Sequence, residues 1–347
     1  MLRQAKLAVL GTVSASGAMR LVSGMNWRRQ KLLILSYHGV SMSHEHEWDP
    51  GLFMPPSLFE KRLKTLRDGG FNVLPLGEAV ARLQRNDLPA KAVVLTFDDG
   101  FANFYHQAFP LLRAYQMPAT VYLTTFYSYY NRPIFGLMIR YLLWLAPKPV
   151  APVKDSTLGW NTPQNLSTPE GAAAAVQILN KYVETLHASA AQKEEMAETL
   201  AGHLGLDYNQ IRGTQVINLM TPEQAARIHA GGISIELHTH RHRTPRNPEL
   251  FAREIRDNRE KIQAITGESP RHFCYPSGVW RQDLFSTLKE NGIETATTCD
   301  PGLALRDTPP LLLPRFVDTT TQTDVEFEGW ISGVNQFLPR KSYSPEV

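Results

Sequence analysis

Short runs of apolar, β-branched or aromatic residues recur along the chain, each followed by a turn and then by a helical pattern. Leu32-Leu33-Ile34-Leu35 comes first. Phe71 to Leu74 follows a helix expected over roughly Pro56 to Asp68, where Phe59, Leu63 and Leu66 recur at helical spacing. Further runs lie at Ala92 to Phe97, Ala119 to Leu123, Ile233 to Leu237, His272 to Tyr275, Thr295 to Thr298 and Leu311 to Phe316. Strands alternating with helices imply parallel pairing through right-handed crossovers. About seven or eight such units in one α/β chain favour a closed or nearly closed β/α barrel over an open sheet.

The alternation breaks once. Between Thr125 and Met220 no convincing strand is found. Ile134 to Leu145 is strongly apolar but interrupted by Arg140, as in a packed or surface-lying helix, and prolines follow at 147, 149 and 152. Ser167-Thr168-Pro169-Glu170 has the layout of a helix start, with a hydroxyl cap and Pro in the first turn, and an Ala-rich helical stretch runs from it to about His203. The expected organisation is an N-terminal basic, amphipathic segment (1–30), a barrel domain (31–330) interrupted by a helical insertion at about 127–219, and a C-terminal tail (331–347). Insertions at the C-terminal ends of barrel strands usually shape the substrate site.

Composition narrows this only a little. With 347 residues, 43% hydrophobic and 20% charged, the chain is an ordinary globular protein, and a net charge of +3 without a long basic run argues against nucleic acid. Cys274 and Cys299 are too few to staple such a fold and read as reduced, buried thiols. The N-terminus has charges in Met1–Lys6, an apolar run over Leu7–Val13, and Val13-Ser14-Ala15 in the style of a cleavage site. That run is at the short end for a secretory signal and too short to span a bilayer. An amphipathic helix is preferred, so a cytoplasmic or membrane-associated protein is favoured over a secreted one.

Three strand ends carry chemistry. Val93 to Phe97 runs into Asp98-Asp99-Gly100. Adjacent residues on extended chain face opposite ways, so one carboxylate can bind a metal while the other stays free as a base. Alone, such a triplet is also common turn chemistry. Ile233 to Leu237 runs into His238-Thr239-His240-Arg241-His242, where His238 and His242 have the i, i+4 spacing of a pair converging on one ion and Thr239 is placed to orient one of them. Arg271 to Tyr275 ends in Pro276-Ser277-Gly278, a rigid turn whose backbone N–H groups could receive an oxyanion. Two His and one carboxylate leave metal positions open for water and substrate, and a carboxylate beside them can take a proton, a constellation that hydrolyses amides and esters.

These segments together resemble the polysaccharide deacetylase family (the NodB-homology, carbohydrate esterase 4 group). The resemblance rests on Thr96-Phe97-Asp98-Asp99-Gly100, on His238 to His242 as the family's His-Thr/Ser-x-x-His, and on Phe273 to Gly278. Leu35 to Val40 resembles the opening strand of members active on exopolysaccharides, and Pro118 to Leu123 also fits. The likeness covers roughly residues 31–127 and 220–320. It implies a deformed (β/α)7 barrel, Asp98 as general base, Asp99, His238 and His242 as ligands of Zn²⁺ or another divalent cation such as Co²⁺ or Ni²⁺, and the Ser277 N–H on the oxyanion.

The chain departs from the family in two places. Cys274 stands where the family often has an Arg that steadies the base, and no His follows His272 to supply the usual late general acid. His38, at the end of the first strand, and His240 are the replacement candidates for the acid, unless Asp98 serves as both base and acid. Arg315 is placed to hold Asp98 or a substrate carboxylate, with Asp300 a weaker candidate. The leading expectation is a hydrolase of non-peptide carbon–nitrogen bonds, removing acetyl groups from N-acetylated sugars of an exopolysaccharide-type poly- or oligosaccharide, with metal-activated water as nucleophile. The alternatives are deformylation or deacetylation of a lipid-linked sugar at a membrane face, ester cleavage by the same residues, and an inactive carbohydrate-binding homologue. Peripheral membrane association fits the basic N-terminus and the apolar insertion helix.

Overall fold

The computed structural model describes residues 2–339 and contains twelve strands among them. In chain order these are β1 (Leu33–Tyr37), β2 (Gly39–Val40), β3 (Phe53–Met54), β4 (Asn72–Val73), β5 (Ala92–Phe97), β6 (Thr120–Leu123), β7 (Val153–Asp155), β8 (Trp160–Gln164), β9 (Ser234–Leu237), β10 (His272–Cys274), β11 (Thr295–Thr297) and β12 (Phe316–Val317). Described contacts divide the chain into two units, 1–130 with 219–347, and 131–218.

In the larger unit the strand order is β11-β10-β9-β6-β5-β1-β12, all parallel, with β4 beside the first half of β5. Every residue of β1 and β5 is buried, as expected of strands covered on both faces. The two ends of the sheet nearly meet: Leu313, three residues before β12, donates its N–H to Ala296 and accepts from Thr298 beside β11. This is a deformed (β/α)7 barrel. The helix Pro56–Asp68 has the expected bounds and buries Phe59, Leu63 and Leu66.

Two expectations fail on detail. The run Leu311 to Phe316 is a 3₁₀ turn, Pro310–Leu312, followed by a strand of only Phe316–Val317. Prolines 309, 310 and 314 remove the N–H groups a longer ladder would need. The segment 131–218 is not purely helical, because β7 and β8 form an antiparallel hairpin in it. Gly159 takes φ 73° there, which places Tyr182 against it at a distance no Cβ would tolerate. Trp160 is fully buried with its Nε1–H on the Ala175 carbonyl. Helices Phe135–Leu145, Pro169–Thr185, Ala190–His203 and Tyr208–Gly213 complete this unit. Thr168 caps the second by accepting from Gly171 N–H, and Ser189 with Gln192 forms a reciprocal cap on the third, so the Ala-rich stretch is two helices.

Residues of the expected N-terminal segment form helices Leu2–Ala15, Ala18–Gly24 and Asn26–Arg29 in the larger unit. The first two pack on Asp324–Ser332, with Leu10 and Met19 buried beside Val334. No single described helix is long and apolar enough to cross a membrane. The expected tail begins inside the helix Asp324–Ser332, and its residues 340–347 lie outside the described residues.

A buried charge cluster ties the last strand to the helix Pro56–Asp68. Arg62, 1% exposed, donates to Asp318 Oδ2 at 3.0 Å, to Asp324 Oδ1 at 2.8 Å and to the Gln322 carbonyl at 3.0 Å. Its guanidinium also lies over the Phe327 ring. Removing one partner of a buried pair strands the other charge in low dielectric. Arg62→Met is therefore expected to cost about 3–5 kcal/mol in chemical denaturation, with part recovered in Arg62→Met/Asp318→Asn. A loss below about 1 kcal/mol would contradict this reading of the cluster.

Candidate active site

β5 carries two carboxylates out of the buried sheet. Gly100 makes the turn, at φ 82° and so close to Leu123 that an added Cβ would lie 2.4 Å from Cδ1. Asp99 is itself left-handed at φ 68°, and its carbonyl accepts from Thr124 N–H. This kink sends the two side chains to different partners.

Asp98 is 3% exposed and meets Arg315, which is fully buried. Nη1 donates to Oδ1 at 2.7 Å and Nη2 to Oδ2 at 2.8 Å, the bidentate geometry that suits a guanidinium and a carboxylate. Arg315 is held in turn by the Thr298 carbonyl, Thr96 Oγ1 and Cys274 Sγ, and lies over the Tyr122 ring. Burial pushes the Asp98 carboxyl up, but the charge and hydrogen bonds of Arg315 outweigh it and hold the group below its ordinary value. Burial is also the largest influence on Arg315, yet Asp98 keeps it firmly protonated. The fully buried Cys274 leaves the space that Arg315 fills, so a guanidinium reaches Asp98 from beside β12 rather than from β10. Both cysteines are free thiols, Cys274 buried and Cys299 half-buried, and burial raises both.

Asp99 faces two imidazoles. Its Oδ1 lies 3.2 Å from His238 Nε2 and 3.1 Å from His242 Nε2, and the three atoms fall within 4.8 Å of one another. Oδ1 is buried and accepts no well-directed hydrogen bond, so three potential ligand atoms converge on one point. His238 Nδ1 donates to the Cys274 carbonyl at 2.8 Å, which leaves Nε2 as the lone pair turned to Asp99. Burial pushes the Asp99 carboxyl up, and the adjacent imidazoles more than reverse this. Two imidazole nitrogens and one carboxylate oxygen suit Zn²⁺ and similar divalent cations, with open positions left over.

His38 ends β1 with Nε2 3.9 Å from Asp98 Oδ2 and a fifth of its side chain exposed. Ser277 follows β10 at φ 56°, in a turn closed by Gly278 N–H on the Tyr275 carbonyl. The remaining candidates are placed otherwise. His240 is buried, bonded to Thr125 Oγ1 at 2.9 Å, and none of its described contacts reaches Asp98. Thr239 Oγ1 accepts from Arg243 N–H, closing the loop rather than orienting a histidine. Asp300 contributes its carbonyl to Arg315 N–H.

Two residues that support this loop have no motif. On the helix Pro248–Thr266, buried Glu254 accepts from Arg241 N–H at 2.8 Å and from the Arg241 and Arg243 guanidinium groups, and its carbonyl accepts from His240 N–H. One turn later Asn258 accepts from His238 N–H at 2.9 Å and donates to Leu123 O and Thr125 Oγ1. The available signal is a Glu and an Asn at i, i+4 on a helix face otherwise built of Phe251, Ile255 and Ile262.

A family model described as polysaccharide deacetylase matches residues 85–140 and 165–296. The chain belongs to the polysaccharide deacetylase family. YxkH of Bacillus subtilis (strain 168) is 37% identical over 94 residues, covering 27% of this chain and 32% of that protein. The poly-beta-1,6-N-acetyl-D-glucosamine N-deacetylase of Escherichia coli (strain K12) is 34% identical over 102 residues, 28% of this chain and 15% of that one. The chain thus matches a third or less of the length of these curated relatives. In fold, it is similar to the Streptococcus pyogenes deacetylase PplD (TM-score 0.57, 20% identity, covering 87% of this chain and 98% of that one) and to IcaB from Ammonifex degensii (0.56, 18%, 87% and 97%).

Glu254→Gln and Asn258→Ala each loosen the loop that carries His238 and His242. Calorimetric titration with Zn²⁺ is expected to show affinity lower by about 10–100-fold in each, the usual cost of losing an outer hydrogen-bond partner. Wild-type affinity in both would show that the loop holds its shape without them.

Proposed function

We propose that this protein is a divalent-metal-dependent deacetylase that hydrolyses the acetamide of N-acetylated sugars in a poly- or oligosaccharide. The observation that carries the reading is the pairing of a guanidinium-clamped carboxylate, Asp98, with an Asp99-His238-His242 donor set at the ends of β5 and β9. The E. coli relative's name supplies the sugar class, a poly-β-1,6-linked N-acetylglucosamine.

In this reading Asp99, His238 and His242 hold Zn²⁺, Co²⁺ or Ni²⁺. Such a cation polarises a carbonyl and makes nearby water acidic. Asp98, kept ionised at neutral pH by Arg315, accepts the proton of the attacking water. The Ser277 N–H stabilises the oxyanion that develops on the acetamide oxygen. His38, beside Asp98 and partly open to solvent, delivers a proton to the departing sugar amine. Arg315 acts through Asp98, fixing its oxygens and its charge. The catalytic domain spans 31–330, with residues near 127–219 as an insertion.

Chelator-treated protein is expected to release no acetate from β-1,4- and β-1,6-linked N-acetylglucosamine oligomers, and to regain release on adding Zn²⁺ or Co²⁺. Asp98→Asn should lower kcat by about 10²–10⁴-fold while binding the cation normally. Formate released in place of acetate would move the substrate to a formylated sugar. Tight cation binding with neither product would overturn the proposed activity.

A further inference from the structure

We infer that helices Ala18–Gly24 and Asn26–Arg29, with the 3₁₀ turn Val334–Phe337, form a docking face for an anionic lipid surface, independent of the deacetylase site. Leu21 is 73% exposed, Met25 56% and Phe337 66%, a concentration of open apolar side chains in one corner of the barrel unit. Leu21 lies on the helix Ala18–Gly24, and Met25 is the extended residue that joins this helix to Asn26–Arg29. Phe337 stacks on Trp27 with ring centroids 4.8 Å apart, and Lys31 Nζ lies 3.8 Å from the other aromatic partner's centre, the Trp27 ring. Amphipathic aromatics carrying a cation at the edge are suited to the boundary between headgroups and acyl chains.

Charge decides the occupant. The first acidic residue of the chain is Glu45, whereas Arg3, Lys6, Arg20, Arg28, Arg29 and Lys31 all precede it. Arg28 is buried and Arg3 pairs with Glu326, but Arg20 and Arg29 are exposed beside the apolar residues. The acids of the packed helix Asp324–Ser332 are engaged inside the unit: Asp324 with Lys61 and Arg62, Glu326 with Arg3, and Glu328 with Ser14. The face therefore presents leucine, methionine and aromatic surface rimmed by cations. A protein partner would have to match both features, whereas a bilayer containing acidic phospholipid offers both without a specific fit.

The test is co-sedimentation of the full chain with phosphatidylcholine vesicles and with vesicles containing phosphatidylglycerol, following the tryptophan emission that is lost in Trp27→Phe. Retention on the phosphatidylglycerol vesicles, weakened by salt and accompanied by a blue shift, is expected. Leu21→Asp/Met25→Asp should lower it by about tenfold or more, since burying apolar side chains drives such binding. Zn²⁺ affinity and melting temperature should stay at wild-type values in that variant, which separates this test from that of the catalytic reading. No retention at low salt, equal retention on neutral vesicles, or retention indifferent to the double substitution would overturn the inference. So would recovery from cells of a mature chain that lacks the helix Ala18–Gly24.

Discussion

Everything at the catalytic end of the barrel rests on the ion pair between Asp98 and Arg315. A carboxylate that is 3% exposed would neutralise itself if left alone, because burial penalises its charge. A fully buried guanidinium would be still harder to tolerate alone. Together they satisfy each other with two short hydrogen bonds, and the remaining Arg315 donors are taken by Thr298, Thr96 and Cys274. The result is a carboxylate of fixed position and fixed charge, beside β12 where the sheet nearly closes. Without that pair, Asp98 would have reason to swing toward His38 or toward the histidines that face Asp99.

The second carboxylate is kept apart by backbone rather than by charge. Asp99, Thr239, His242 and Ser277 are non-glycine residues with φ between 53° and 68°, all in the loops that end β5, β9 and β10. Such conformations persist only where surrounding structure holds them. In the histidine loop the holding is done by Glu254 and Asn258, which bind five of its backbone or side-chain groups, and by the Cys274 carbonyl on His238. Cys274 thus serves both halves of the site, with its carbonyl on a metal-ligand candidate and its sulfur against Arg315.

Much of this could be read in the sequence because strongly buried parallel strands announce themselves. The run Ala92–Phe97 has the same bounds in sequence and structure, and the polar residues that follow it, common turn chemistry alone, gain meaning beside the histidines after Leu237. The motifs at Asp98, His238 and Ser277 were legible for that reason. What stayed hidden is what depends on pairing over long separations. Arg315 was legible as a residue placed to hold Asp98 or a substrate carboxylate, but nothing local in Leu313-Pro314-Arg315 chooses between them, and the pairing spans 217 positions. Likewise Glu254 and Asn258 are ordinary residues until the helix is docked. The hairpin of β7 and β8 was missed because strands of three and five residues, one containing Pro163, carry no usable periodicity. The three-proline stretch before β12 imitated a strand through its leucines alone.

The account stands or falls on whether Arg315 sets the charge of the base that does the chemistry. The direct measurement is kcat/KM for acetate release against pH, in the wild-type protein and in Arg315→Lys. A lysine keeps the charge but loses the bidentate grip, so the Asp98 carboxyl should rise toward its ordinary value. The base must be ionised to work, so the acid limb of the profile is predicted to move to higher pH, with the alkaline side unchanged. An acid limb that stays in place while activity persists would show that Asp98 is not the titrating base, and the central assignment would be wrong.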